Sequence, residues 1–222
     1  MIVNERITTY INSLEPENGE LYDEIEQYAI KNYVPIIRKE TGSLLKTLVS
    51  LKQPGQILEI GTAIGYSALL MSQCMPKGCQ ITTIEKYEKR IPKALENFKK
   101  AGKDKVITLL EGDAEEILST LTGRYDFIFM DAAKGQYIHW LPILLKLMPP
   151  GGVLVSDNVL QDGDIIESRY AVARRNRTIH SRMREYLYTL KHMDELQTAV
   201  IPIGDGITVS VKLSSVIRKA KR

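Results

Sequence analysis

The chain has two cysteines among 222 residues, Cys74 and Cys79, too few to staple a fold with disulfides. Its three histidines, His139, His180 and His192, are scattered, so neither residue type shows zinc-ligand spacing. All five read as ordinary surface or half-buried side chains. Long apolar runs are also missing. The longest, such as Tyr-Asp-Phe-Ile-Phe-Met-Asp-Ala-Ala at 125–133, have the length of a strand and fall far short of a membrane span. The N-terminal stretch carries an early acidic residue and no apolar core, so it does not read as a secretory signal. The expected location is the cytoplasm, with no membrane partner. There is no internal repeat and no low-complexity linker. What is present, 44% hydrophobic and 26% charged residues, suits one domain with a sizeable core.

The net charge of +3 is unevenly spread. Residues 161–222 hold 12 Lys or Arg against 7 Asp or Glu, whereas residues 1–160 are slightly acidic. Such asymmetry hints at a polyanionic partner, while charge alone favours a solvated, arginine-rich helix.

Apolar residues at helical spacing predict helices over "ERITTYINSL", "GELYDEIEQYAIKN" and "TGSLLKTLVSL", with Pro35 in the first turn of a new helix. From Gln56 the character changes. Five short apolar runs, ending near Gly61, Glu85, Asp113, Asp131 and Asp157, alternate with helical segments. That alternation needs crossover connections and therefore a parallel sheet. After a long helical stretch from about Ala173, two β-rich runs flank Gly204-Asp205-Gly206 and predict an antiparallel hairpin, hence a mixed sheet. The basic tail from Ser214 is expected to fray.

In open α/β sheets, ligands bind at the carboxyl ends of the strands. The first strand runs into Glu59-Ile60-Gly61-Thr62-Ala63-Ile64-Gly65, where Gly61 and Gly65 permit a tight turn and close backbone approach. Ala63 and Tyr66 break the dinucleotide fingerprint G-x-G-x-x-G. Ser67 stands where the next helix starts, a place for a carboxylate such as methionine-type cofactors carry. Glu85, at the second strand end, is placed to accept from ribose hydroxyls. At the third, Asp113 can accept from an adenine amino group, with the N–H of Ala114 beside it. Taken singly, Glu85 and Asp113 are also compatible with plain helix caps.

The fourth and fifth strands end in Asp131-Ala132-Ala133-Lys134 and Asp157-Asn158. Adjacent parallel strands lie about 4.8 Å apart. Two carboxylates and one amide oxygen on neighbouring ends form a hard oxygen set suited to Mg²⁺. The alternative is that Asp157-Asn158 merely turns the chain. Lys134 is a candidate to take a proton from a substrate hydroxyl.

The segments "LEIGTAIGYSALLM", "TTIEK", "EGDA", "DFIFMDAAKGQY", "GGVLVSDNVL" and "IPIGDGITVSVK" resemble the catechol and caffeoyl-CoA type O-methyltransferases, over nearly the whole chain. Within that family, "VPII" and "DAAKGQY" are most similar to the bacterial tRNA 5-hydroxyuridine methyltransferases. The resemblance implies a single Rossmann-like α/β methyltransferase domain over 1–222, with N-terminal helices over 1–52 and the core over 53–222. The implied sheet has seven strands and a terminal hairpin. S-adenosylmethionine is implied at Ile37, Glu59, Gly61, Ser67, Glu85, Asp113, Ala114 and Asp131. Mg²⁺ or Mn²⁺ is implied on Asp131, Asp157 and Asn158, with Lys134 near the reacting oxygen. The implied product is 5-methoxyuridine at the tRNA wobble position, made by a homodimer. Phosphate contacts are then expected from Arg169, Arg174, Arg175, Arg177, Arg182 and Arg184, and from Lys219, Lys221 and Arg222. A small catechol-like or CoA-linked phenol as substrate, and a non-catalytic RNA- or cofactor-binding protein on the same fold, are the alternatives.

Overall fold

Three helices form where the apolar spacing predicts them: α1 (Glu5–Ser13), α2 (Glu20–Lys31) and α3 (Lys39–Lys52). In α2 the buried residues Tyr22, Ile25 and Ala29 fall at i, i+3 and i+7, a single apolar stripe. Helix α3 ends because Gln53 takes a left-handed conformation (φ 49°) and Pro54 follows it. Pro35 lies outside any helix: residues 34–38 have no regular structure, and α3 begins only at Lys39. Proline disfavours helical geometry in the residue before it, here Val34, and removes a backbone donor. Buried Ile37 sits in this segment.

The computed structural model describes residues 3–214, and these divide into two compact units, Glu5–Thr120 and residues 121–214 together with 3–4. In the first unit the three helices are followed by β1 (Gln56–Ile60), α4 (Tyr66–Cys74), β2 (Gln80–Glu85), α5 (Ile91–Lys100), β3 (Ile107–Glu111) and α6 (Ala114–Thr120). Strands β1, β2 and β3 pair in parallel, with Glu59 opposite Thr83 and Glu85 opposite Glu111. Four consecutive residues of β1 are buried with no alternation, as expected for a parallel strand covered on both faces. Helix α5 starts with Pro92 in its first turn and ends on Lys99 and Lys100, the arrangement the helix dipole favours.

The second unit contains β4 (Phe127–Met130), a 3₁₀ turn at Lys134–Gln136, α7 (Tyr137–Leu147) and β5 (Val153–Ser156). Two more 3₁₀ turns, Gln161–Ile166 and Arg174–Asn176, precede α8 (Arg177–His192), β6 (Leu196–Ile201) and β7 (Ile207–Lys212). The long helix expected from Ala173 therefore starts later, at Arg177. Strands β4 and β5 are parallel, while β7 is antiparallel to both β5 and β6, which confirms the terminal hairpin. The strand order is β3-β2-β1-β4-β5-β7-β6, a seven-stranded, mostly parallel mixed sheet. The tail from Ser215, with Lys219, Lys221 and Arg222, lies outside the described residues.

Neither cysteine is in a disulfide; Cys79 is buried and Cys74 partly so. His180 is buried on the inner side of α8, deeper than its scattered position suggested. Among the described residues no helix is long and apolar enough to cross a membrane.

Candidate functional site

The loop after β1 is held from below by two buried acids. Glu59 is fully buried, and its carboxylate accepts from Ser67 Oγ at 2.5 Å and from Thr83 Oγ1. The first bond uses the only proton of the Ser67 hydroxyl. A ligand carboxylate at the start of α4 would therefore meet first-turn backbone N–H groups, which lack intrahelical acceptors.

Gly61 and Thr62 donate their N–H groups to Ile84 O at 3.0 and 3.1 Å, tying the loop to β2. Gly65 has φ 85°, and a Cβ there would stand 2.4 Å from the Phe98 ring, so only glycine fits. Ala63, the residue that breaks the common glycine pattern, also has positive φ (47°). That conformation costs a non-glycine residue roughly 1–2 kcal/mol. The Ala63 N–H donates to Glu85 Oε2 at 2.7 Å, which offsets the strain.

Glu85 is already engaged by the backbone around it. Oε1 also accepts from the N–H groups of Lys86 (3.0 Å) and Tyr87 (2.8 Å). With about four acceptor positions on a carboxylate, roughly one remains for a further donor. Asp113 is a helix cap in this structure, since Oδ1 accepts from the Glu115 N–H at 2.9 Å at the start of α6. Oδ2 pairs with Lys86 Nζ at 3.2 Å. The Glu115 N–H, and then Lys86, hold the Asp113 carboxyl below the usual carboxylate range. Ala114 is buried beside it. Ile37 packs near Gly42, where a Cβ would lie 3.7 Å from its Cδ1.

The second unit carries the metal-type set. Met130 lies opposite Ser156 in the β4–β5 register, so Asp131 and Asp157 leave adjacent strand ends together. The Asp157 N–H donates to Met130 O at 2.9 Å. Beneath them stands Tyr137, a residue the sequence reading did not single out. Its fully buried hydroxyl lies 3.2 Å from Met130 O and 3.3 Å from Asp157 O, donating to them, and accepts from the Ala132 N–H at 3.2 Å. Burial, then the charges of Asp131 and Asp157, keep that phenol protonated. Tyr186 braces the Tyr137 ring edge-on, with centroids 5.6 Å apart.

Burial raises both aspartates above the carboxylate range. For Asp131 the nearby Lys134 charge opposes the rise and Asp205 adds to it. For Asp157 the charge of Asp131 is the next cause, offset in part by the Asn158 N–H at 2.7 Å. Asn158 has φ 58°, and its Nδ2 donates to Asp205 Oδ2 at 3.3 Å. The structure brings Asp131, Asp157, Asn158 and Lys134 into one corner. Asp205 joins them from the β6–β7 hairpin, where the sequence suggested only a turn. Among the described residues no group of three or more His, Cys, Asp or Glu side chains stands in a metal-holding arrangement. The corner offers two carboxylates and one amide oxygen. The two buried carboxyls, held above the usual carboxylate range, together with the amide oxygen fit a hard divalent cation that keeps other positions for water or substrate.

Three of the arginines expected on phosphates donate to backbone carbonyls, and of these Arg184 is still exposed. Arg177 donates to Val172 O and Tyr170 O, at 3.2 and 3.1 Å, and lies over the Tyr170 ring. Arg184 donates to Ile165 O at 3.3 Å, and Arg182 to Gly135 O at 3.1 Å, beside Lys134. Arg169, Arg174 and Arg175 are exposed, as is Tyr170 at 81%.

A parallel sheet with a glycine turn after its first strand and acids on successive strand ends defines a methyltransferase-type fold and site. The O-methyltransferase family profile matches residues 12–213, and the chain belongs to that family. It is 30% identical to tapetum-specific methyltransferase 1 of Arabidopsis thaliana, over 96% of each chain. It is 28% identical to caffeoyl-CoA O-methyltransferase of Medicago sativa, over 94% of this chain and 89% of that one. Among solved structures, the O-methyltransferase TomG from Streptomyces achromogenes, in complex with SAM, superposes with a TM-score of 0.84. That match has 26% identity and covers 94% of this chain and 96% of that one. The protein is accordingly an S-adenosylmethionine-dependent O-methyltransferase of the caffeoyl-CoA type.

Proposed function

We propose that the chain methylates the 5-hydroxyl of 5-hydroxyuridine at the tRNA wobble position, using S-adenosylmethionine and Mg²⁺ or Mn²⁺. The observation that carries this reading is the exposed set Arg169, Tyr170, Arg174 and Arg175, in the same unit as the acidic corner. Exposed cations bind phosphates, and an exposed aromatic ring can stack on an unpaired base of an anticodon loop. Arg177 and Arg184 support this segment through their bonds to its carbonyls.

Asp131, Asp157 and Asn158 would hold the cation, and Ile37, Glu59, Gly61, Ser67, Glu85, Asp113 and Ala114 would build or line the cofactor site. A bound divalent cation supplies positive charge that acidifies a substrate hydroxyl and fixes its direction. Lys134 Nζ, in its neutral amine form, takes the hydroxyl proton. The substrate oxygen attacks the methyl carbon, an O–C bond forms, and the C–S pair stays on sulfur. The chain's own contribution is placement and charge rather than covalent chemistry. A homodimer is part of the same proposal, checked by light scattering of the purified protein.

A second reading, methylation of a small phenol, is favoured by the similarity to caffeoyl-CoA O-methyltransferase. One assay separates the two. Labelled S-adenosylmethionine is offered with tRNA containing 5-hydroxyuridine, with a catechol and with caffeoyl-CoA, with and without EDTA. Label in the wobble uridine alone, lost in EDTA, is the expected result. Label in a phenol alone overturns the RNA assignment and keeps the chemistry.

A further inference from the structure

We infer that Asp205 is a positioning residue that orients the Asn158 amide, so that the hairpin loop sets which atom of Asn158 faces the cation. The inference rests on the metal reading above. Asn158 can present either oxygen or nitrogen, and only Oδ1 can bind a cation. Its Nδ2 donates to Asp205 Oδ2 at 3.3 Å, which commits the nitrogen to the hairpin side and leaves Oδ1 on the other.

Asp205 is itself held in place by backbone. Leu160 N–H donates to Asp205 O and Val159 N–H to Gly206 O, both at 2.9 Å, so the loop is laced to the two residues after Asn158. Gly206 has φ 88°, and a Cβ there would stand 2.3 Å from Leu160 Cγ, so a side chain would push the loop away. The loop is thereby pinned against the segment it serves. A partner that fixes a metal ligand's orientation usually matters to metal affinity by about 10- to 100-fold when removed.

The test is Mn²⁺ binding, read by the paramagnetic resonance of free ion, on the full chain without cofactor. Wild type and the variants Asp205→Ala, Asp205→Asn, Asp205→Glu and Asn158→Ala are compared. Asp205→Ala should weaken Mn²⁺ by about 10-fold or more. Asp205→Asn keeps an acceptor at the same place and should recover most of that loss, whereas Asp205→Glu keeps the charge and displaces the acceptor. Binding tighter in Asn than in Glu is the expected order. The reverse order means that Asp205 acts by its charge or as a direct ligand, and overturns the inference. In an Asn158→Ala background, Asp205→Ala should add little, and full additivity would equally sink it. Because Asn and Glu are read against each other, the result stands even if the alanine variant fails to fold. Absence of Mn²⁺ binding by wild type would instead remove the metal reading on which the inference rests.

Discussion

The two acidic regions of this protein treat their carboxylates in opposite ways. Around the glycine turn, Glu59, Glu85 and Asp113 are met by donors: two hydroxyls, three backbone N–H groups, and a further N–H with a lysine. Those acids hold a loop in shape. At the ends of β4 and β5, Asp131 and Asp157 are buried near one another and near Asp205, with Lys134 the cation acting on both. Those acids repel. The lesson is that a strand-end carboxylate is told apart by its donors: those around the glycine turn are satisfied, and those at the ends of β4 and β5 are crowded.

The largest effect should come from the crowded corner. Asp157→Ala should lower methyl transfer by about 100-fold or more, about 3 kcal/mol of barrier, while cofactor binding measured by calorimetry stays near wild type. Full activity in that variant would break the contrast.

The satisfied corner should respond in stability first. Gly65→Ala forces a Cβ onto the Phe98 ring at positive φ. It should cost about 2–4 kcal/mol in urea unfolding, with loss of cofactor affinity following from the displaced turn.

The pH response sharpens the comparison through its sign. Asp131 and Asp157 have folded-state pKa values raised above their unfolded ones, toward about 6 and about 7 from 3.8. Their contribution to stability is full below the unfolded value and is lost as pH rises through the folded values. The metal-free protein should therefore lose thermal stability from this pair between pH about 4 and about 7. Added Mg²⁺ should restore more at pH 8 than at pH 5. Asp113, with its pKa lowered, acts in the opposite sense and only at acid pH. A calorimetric scan at several pH values, with and without Mg²⁺, checks both signs. Equal Mg²⁺ stabilisation at pH 5 and 8 would remove the cation from the argument.

The smallest effect concerns the exposed arm. The double change Arg174→Ala, Arg175→Ala should weaken tRNA binding and reduce the slope of affinity against salt by about 1 per lost phosphate contact, with cofactor affinity unaltered. An unchanged slope would send the RNA contact elsewhere or dismiss it.

Much of this was readable along the chain. The βα alternation, the parallel strands, the closing hairpin and the acids at five strand ends all follow from local periodicity and from turn residues. Asp131, Asp157, Asn158 and Lys134 were legible as candidates because each sits just past an apolar run. Tyr137 was missed because a tyrosine opening a helix looks like core, although it lay inside the quoted "DAAKGQY". Asp205 was missed because Gly-Asp-Gly is also an ordinary hairpin turn. Pro35 was placed in a helix because proline suits a first turn, and the sequence does not say that the turn begins four residues later.

The sequence by itself determined the order of strands and helices and which polar residues stand at strand ends, since periodicity and chain punctuation are local properties. Only the tertiary structure decided what each polar group meets. Glu85 gained three backbone donors, Arg177, Arg182 and Arg184 turned to carbonyls, and Asp205 came to Asn158 from 47 residues away. Hydrogen-bond partners depend on register and loop path, and neither is written in the spacing of residues along one strand or helix.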